Sequence, residues 1–129
     1  MATESELIAA ALKARENAVA DYSHFRVGAA LETEGGEIFT GCNVENATYG
    51  LTACAERVAV WKALSEGRRQ FLRIAIAADS ETLTPPCGPC RQILWEFCGD
   101  IPIILVNLRV ARETIQLREL LPALLTVPS

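Results

Sequence analysis

Three cysteines have the side-chain chemistry and the spacing that are typical of a metal site. Cys87 and Cys90 are three residues apart at the predicted start of a helix, so both thiols can face one point. Such a pair alone is compatible with zinc, with a redox dithiol or with a structural role. Cys54 opens another predicted helix and adds a third thiol. Three thiolates leave one tetrahedral position of a zinc ion open, which is typical of a catalytic site.

Glu56 is the candidate proton carrier of this site. Residues two apart in a helix lie on different faces, so Cys54 and Glu56 can converge only where the helix begins. The sequence therefore predicts that this helix begins within a residue or two of Cys54. A carboxylate beside a metal-activated water is suited to proton transfer. Without the thiols, a first-turn acid would more simply stabilise the helix dipole.

The charge of the predicted site requires compensation. Zinc with three thiolates is negatively charged overall, which disfavours ionisation of a bound water. The positive ends of two helices offset part of this charge. Arg57 is placed to offset more by donating to a thiolate, although a solvent-facing helix position is an equal alternative.

A structural zinc site would need a fourth ligand. Cys42 lies within a predicted strand and Cys98 at the far end of a predicted helix, and both are expected to be small buried apolar residues. His24, the only histidine, lies in a predicted loop and is a weak candidate ligand.

The composition predicts one globular domain, residues 1–129. The net charge of -4 and the absence of a basic stripe argue against a nucleic-acid partner. No apolar run has the length of a membrane span, and acidic residues replace the basic start of a signal peptide. We therefore predict a cytoplasmic protein without a membrane partner. Its five cysteines, an odd count, favour thiols or metal ligands over disulfides.

The pattern along the chain predicts alternating helices and strands. Helices are predicted at 3–20, 54–66, 87–98 and 117–125, and strands at 25–33, 37–42, 73–79, 101–106 and 113–117. Gly35 and Gly36 mark a hairpin, and residues 43–50 form an ordered loop. The order implies an α/β fold with a mixed five-stranded sheet, in which strand-helix-strand units pair in parallel and helices cover both faces.

Several motifs resemble a known family. The Cys54-Ala55-Glu56 segment, followed by Pro86-Cys87-x-x-Cys90, is similar to the signature of zinc-dependent nucleobase deaminases. More of the chain resembles the small homotetrameric cytidine deaminases, in order and at the expected spacing. The segments that carry this resemblance are 22–31, 40–47, 49–50, 54–57, 90–92 and 119–122.

The resemblance implies a three-layer α/β/α cytidine deaminase-like sandwich. It also implies the hydrolysis of cytidine and 2′-deoxycytidine to the uridines with release of ammonia, as in pyrimidine salvage. One Zn²⁺ per subunit would be held by the three cysteines, and Glu56 would pass a proton from water to ring N3. Sites near the interfaces of a homotetramer are implied as well. The substrate contacts carried over are Asn43 and Glu45 to the ribose 3′-hydroxyl, Phe25 to the base, the Ala55 N–H to the base O2, and Tyr49 to ligand or a neighbouring subunit.

Two departures from the family pattern concern the cover of the base. The family commonly has an aromatic residue where this chain has Leu125, and a serine is frequent where this chain has Pro85. The hypothesis that follows is tolerance of bulkier groups on the 4-position of cytidine.

Other functions are distinguishable by the residues they would need. A thiol–disulfide oxidoreductase would use Cys87 and Cys90 without Glu56, and a structural zinc module would need a further ligand. A polynucleotide editor is disfavoured because the first ligand is cysteine rather than histidine. A deaminase for a nucleoside-like antibiotic is disfavoured because Asn43 with Glu45 suits a true ribose.

Overall fold

Our computed structural model of the protein describes residues 1–80, 82–83, 85–109 and 111–120. Three α-helices and five strands alternate along it. In chain order they are α1 (Glu4–Arg15), β1 (Val27–Thr33), β2 (Ile38–Cys42), α2 (Ala55–Ser65), β3 (Phe71–Ala78), α3 (Gly88–Cys98), β4 (Pro102–Asn107) and β5 (Arg112–Gln116). Short 3₁₀ turns occupy Tyr49–Leu51 and Leu117–Leu120. None of the helices within these described ranges is long and apolar enough to cross a membrane.

The five strands form one mixed sheet, as predicted, and their order in it is β2-β1-β3-β4-β5. The β1–β2 hairpin is antiparallel, and its turn contains Gly36 at a φ of 88°, a conformation that glycine adopts without steric cost. Only β3 and β4 pair in parallel, through the α3 crossover. The expected parallel pairing of every strand-helix-strand unit is therefore wrong for β2-α2-β3. That crossover passes over β1, which pairs with both β2 and β3.

Helices cover both faces of the sheet, and the two faces have separate apolar cores. On one face α1 packs Leu7, Ile8 and Ala11 against alanines of β1 and β3. On the other, α2 and α3 pack against the opposite side chains of the same strands, including Ile74 and Ile76. The continuous apolar run of β3 is explained by this arrangement, since a central strand covered on both faces has no polar side. The chain is thus an α/β sandwich of three layers.

Two glycines set how closely the helices approach the sheet. A Cβ on Gly28 would lie 2.0 Å from the Ala11 carbonyl oxygen of α1. A Cβ on Gly41 would lie 2.5 Å from the Ala55 carbonyl oxygen, in the first turn of α2. Because side chains never approach a backbone this closely, only glycine fits at either position. The residue type at position 41 therefore fixes the start of α2 against the sheet.

The first helix is shorter than the sequence predicts. It begins after Thr3, whose hydroxyl caps it by accepting from the Glu6 N–H, but it ends at Arg15 rather than near Ala20. The backbone of Val19 is instead paired with the loop after β2: its N–H donates to Asn43 at 2.9 Å, and its carbonyl accepts from Glu45 at 2.8 Å. This tertiary pairing overrides the helical pattern.

The predicted last helix also differs. Leu117–Leu120 is a 3₁₀ turn, and the rest of the predicted helix, with Pro122 and Leu125, lies outside the described residues. Arg91 of α3 ties this turn to the cysteine-bearing loop, since its guanidinium donates to the carbonyls of Leu120 at 2.9 Å and Pro86 at 2.7 Å.

Candidate metal centre and active site

The site is built at the first turns of α2 and α3. Cys54 is the N-cap of α2 and has extended backbone angles (φ -79°, ψ 153°), which confirms the predicted position of the helix start. Cys87 is likewise the N-cap of α3 (φ -66°, ψ 166°). Neither thiol caps its own helix with a hydrogen bond, so both sulfurs face outward from positively polarised helix ends.

Three sulfurs meet between these two helix starts. The Cys54 and Cys87 sulfurs are 3.8 Å apart, the Cys87 and Cys90 sulfurs are 3.1 Å apart, and all three lie within 4.8 Å of one another. Zn–S bonds of about 2.3 Å in tetrahedral geometry would separate two sulfurs by about 3.8 Å. The Cys54–Cys87 pair matches this separation and the Cys87–Cys90 pair is closer, so the three thiols are near enough to share one zinc ion. Among the described residues, no further cysteine, histidine or carboxylate joins this cluster. The donor set thus leaves an open coordination position.

Arg57 lies where it can compensate the charge of the thiolates, which is the first of the two positions predicted for it. Its guanidinium donates to the Cys54 sulfur at 3.2 Å and to the Thr52 carbonyl at 3.3 Å. Hydrogen bonds from the Cys90 thiol and then from Arg57 lower the pKa of Cys54 to about 5. Sharing its proton with Cys54, together with burial, raises the pKa of Cys90. Cys54 is therefore a thiolate at neutral pH, which is the form that binds zinc.

Glu56 is almost completely buried beside the sulfurs, with 5 % of its surface exposed. Burial is the main cause that raises the pKa of its carboxyl to about 7, and the nearby Cys54 thiolate contributes in the same direction. The hydrogen bond from the Cys90 thiol and the Arg57 charge act against this shift. A carboxyl group poised near neutral pH can both accept and donate a proton.

A cavity of about 330 Å³ opens in front of the sulfurs and Glu56, at the small end of the range for sites that bind small molecules. It brings together most of the residues singled out in the sequence, from three separate segments. Its lining residues are Ser23, Phe25, Val27, Asn43, Glu45, Thr52, Ala53, Cys54, Ala55, Glu56, Ile76, Pro85 and Cys87.

The remaining predicted site residues lie outside this lining. Cys90 is fully buried behind the other two sulfurs. Arg57 lines a second cavity of about 530 Å³, which shares Cys54 and Cys87 with the first. The backbone of Tyr49 lies in a 3₁₀ turn, whereas its side chain lies outside what the structure describes.

Asn43 and Glu45 serve the structure as well as lining the cavity. The Asn43 side chain accepts from the Val27 N–H at 2.9 Å and donates to the Phe25 carbonyl at 2.8 Å. Glu45 accepts from the backbone N–H groups of Tyr22 and Ser23, each at 3.0 Å. These two side chains thus hold the segment that carries Phe25 at the cavity wall.

Ala55 presents a backbone donor to the same cavity. It is the first residue of α2, so its N–H has no acceptor within the helix. Ala55 lines the cavity, and a carbonyl group of a ligand would satisfy this donor.

Sequence reasoning missed several lining residues, above all Ser23 and Thr52. Ile76 is predicted only as part of the strand at 73–79, yet it forms part of the cavity wall from the sheet. The available signal for Ser23 was its position two residues before Phe25, because serine hydroxyls commonly bond to the backbone two residues on.

Comparison with known proteins assigns the chain to a family. Residues 1–105 match the family described as the cytidine and deoxycytidylate deaminase zinc-binding region. The cytidine deaminase of Sporosarcina psychrophila is 50 % identical over 118 residues, 91 % of this chain and 87 % of that protein. The cytidine deaminase of Halalkalibacterium halodurans is 50 % identical over 121 residues, 93 % of this chain and 92 % of that protein.

The fold agrees with a solved structure. The crystal structure of cytidine deaminase from Burkholderia pseudomallei superposes with a TM-score of 0.93 at 43 % identity, covering 96 % of this chain and 100 % of that one. The sequence and the fold both match this family. The three-thiol cluster, which can hold zinc, supports the same assignment. The chain belongs to the cytidine and deoxycytidylate deaminase family.

Proposed function

We propose that this protein is a zinc-dependent deaminase that hydrolyses cytidine and 2′-deoxycytidine to uridine and 2′-deoxyuridine, with release of ammonia. The observation that carries the proposal is the buried Glu56 beside three convergent thiols at the floor of a cavity of nucleoside-binding size. A thiol–disulfide oxidoreductase would require neither this carboxylate nor the third sulfur. The membership of the family supports the same reaction.

Cys54, Cys87 and Cys90 would hold the zinc ion. When bound there, zinc supplies a Lewis acid that activates water for attack on C4 of the base. Glu56 handles the protons of the reaction: it accepts one from water and delivers it to ring N3, then accepts a second from the new hydroxyl group on C4 and delivers that one to the leaving amine. Its burial and raised pKa suit both directions of transfer. One water is consumed and one ammonia is released for each turnover.

The walls of the cavity would orient the nucleoside. Phe25 packs against the base, and the free N–H of Ala55 donates to the base O2. Asn43 and Glu45 contact the ribose 3′-hydroxyl from the opposite end of the cavity. The amide of Asn43 keeps a second proton for this contact, since only one is engaged by the Phe25 carbonyl.

The cavity favours a nucleoside over a nucleotide. Its described lining includes the carboxylates of Glu45 and Glu56 and no lysine, arginine or histidine. A 5′-phosphate would enter without a cationic partner and close to a carboxylate, and like charges brought together in this way are costly. The substrate class is therefore cytidine and 2′-deoxycytidine rather than their monophosphates.

Ammonia release from the zinc-loaded protein tests this proposal. Cytidine and 2′-deoxycytidine are expected to be turned over, and kcat/KM for deoxycytidine 5′-monophosphate is expected to be at least about a hundredfold lower, because the phosphate remains unpaired. Comparable turnover of the monophosphate would overturn the choice of substrate class. A zinc-free protein that reduces disulfides would overturn the reaction itself.

We also expect activity on cytidines that carry a larger group on the 4-amino nitrogen. The reason lies in the sequence, which has Leu125 and Pro85 in place of a covering aromatic and a serine. Pro85 lines the cavity, and Leu125 lies outside the described residues. Turnover of N4-acetylcytidine measured beside cytidine checks this expectation, and it fails if only cytidine is deaminated.

The homotetramer implied by the resemblance is part of the proposal, as is a location in the cytoplasm. Large apolar side chains are exposed around the site, including Tyr22 (64 % exposed) and Leu51 (69 %). Trp61, on the outer face of α2, is 47 % exposed. Burial of these side chains against neighbouring subunits would stabilise an assembly with sites near its interfaces.

A further inference from the structure

Ser23 connects two parts of the proposed substrate site. Its hydroxyl donates to Oε2 of Glu45 and accepts from the Phe25 N–H at 3.0 Å. Ser23 itself lines the cavity. One exposed hydroxyl is therefore bonded both to the carboxylate proposed to contact the ribose and to the backbone of the residue proposed to contact the base.

The hydrogen positions in this group follow from the donors present. The Phe25 N–H can only donate, so the Ser23 oxygen is its acceptor. The hydroxyl proton is consequently free to point at Glu45. Oε1 of Glu45 accepts from two N–H groups, those of Tyr22 and Ser23. All three partners of the carboxylate are donors, and they hold the pKa of Glu45 below its usual range, the Ser23 hydroxyl acting most strongly.

With these three donors in place, the Glu45 carboxylate can accept one further hydrogen bond, in one direction. A carboxylate oxygen accepts about two hydrogen bonds. Oε1 is filled by its two N–H partners, and Oε2 has one acceptor position left beside the Ser23 hydroxyl. The backbone of Glu45 is fixed too, because its N–H donates to the Val19 carbonyl at 2.8 Å. The remaining lone pair of Oε2 thus points in a defined direction, where it can accept a hydrogen bond from one further donor.

We propose that Ser23 is a positioning residue for substrate recognition, whose hydroxyl orients the Glu45 carboxylate to accept a hydrogen bond from the sugar 3′-hydroxyl. This inference rests on the proposed function. It assigns to Ser23 an effect on the sugar contact and not on the proton transfers at the base. Loss of the hydroxyl should therefore matter only for a substrate that has a 3′-hydroxyl.

The test compares cytidine with 3′-deoxycytidine as substrates of the zinc-loaded protein. For Ser23→Ala we expect KM for cytidine to rise about tenfold, as for loss of a hydrogen bond to a charged group, with kcat nearly unchanged. The ratio of kcat/KM for the two substrates should fall about tenfold, because 3′-deoxycytidine cannot make the contact. Ser23→Thr keeps the hydroxyl and should restore the ratio.

Ser65→Ala is the matched control, since Ser65 lies at the end of α2 and its hydroxyl bonds to the Lys62 carbonyl. It should leave the ratio unchanged. An equal loss on both substrates in Ser23→Ala would show a merely structural role, and no loss would show no role; either result overturns the inference. Failure of the proposed function is recognised separately, because the unmodified protein would then release no ammonia from cytidine.

Discussion

Glu56→Gln is expected to lower kcat for cytidine by about 10²–10⁴-fold, the range for loss of a general acid–base group. The substitution preserves the size of the side chain but removes its ability to accept and return a proton. Glu56 lies in a buried position beside Cys54 and Cys90, and the other carboxylate of the described lining, Glu45, is held by the backbone N–H groups of Tyr22 and Ser23. The measurement is ammonia release at saturating cytidine, together with zinc per protomer.

Zinc content separates this result from a loss of the site. We expect Glu56→Gln to retain one zinc per protomer, because a glutamine replaces a residue that is not among the sulfur ligands. Glu66→Gln is the matched control, since Glu66 caps the other end of α2, and it should keep full activity. A Glu56→Gln protein that retains both zinc and normal turnover would remove Glu56 from the proposed mechanism.

Cys90→Ala is expected to weaken zinc binding by at least about a hundredfold, since even the loss of an outer-shell partner weakens metal sites by 10–100-fold. Activity should fall with the zinc content. Cys90 is fully buried, so solvent cannot easily supply a replacement ligand. Zinc per protomer after dialysis against a chelator of known affinity measures the change.

The thermal stability of the protein should depend on bound zinc, and the same chelator experiment can show this. The thiols of α2 and α3 are 33 residues apart along the chain, and metal binding that joins them contributes to folding. The unmodified protein should therefore lose thermal stability with chelator, whereas Cys90→Ala should be insensitive to it. Cys98→Ala, which removes a thiol of α3 outside the cluster, should bind zinc normally. Normal zinc binding by Cys90→Ala would exclude it as a ligand.

The two halves of the metal centre were predictable from the sequence because each depends on local geometry. The spacing of Cys87 and Cys90 at a helix start, and the need for Glu56 and Cys54 to converge, both follow from the periodicity of a helix. The observed cap at Cys54 confirms that reasoning. The central position of β3 was predictable for a similar reason, since its apolar run has no polar face.

Features that depend on contacts between distant segments were not predictable in this way. The end of α1 at Arg15 is set by backbone pairing of Val19 with residues on the far side of β2. The insertion of β1 between β2 and β3 is likewise a matter of tertiary pairing. Ser23 gave only a weak local signal, because its main partner, Glu45, is distant in sequence.

The glycine at position 41 has a consequence for how this enzyme can change during evolution. Because α2 rests directly on Gly41, any larger residue there would displace the first turn of α2, and with it Cys54 and Glu56. Substitutions of Gly41 should therefore be selected against because they disrupt the active site, even where the core could accommodate the added volume. New substrate preferences must arise at the rim of the cavity, in the segment around Ser23 and Phe25 and at Pro85, where a side chain can change without moving the floor.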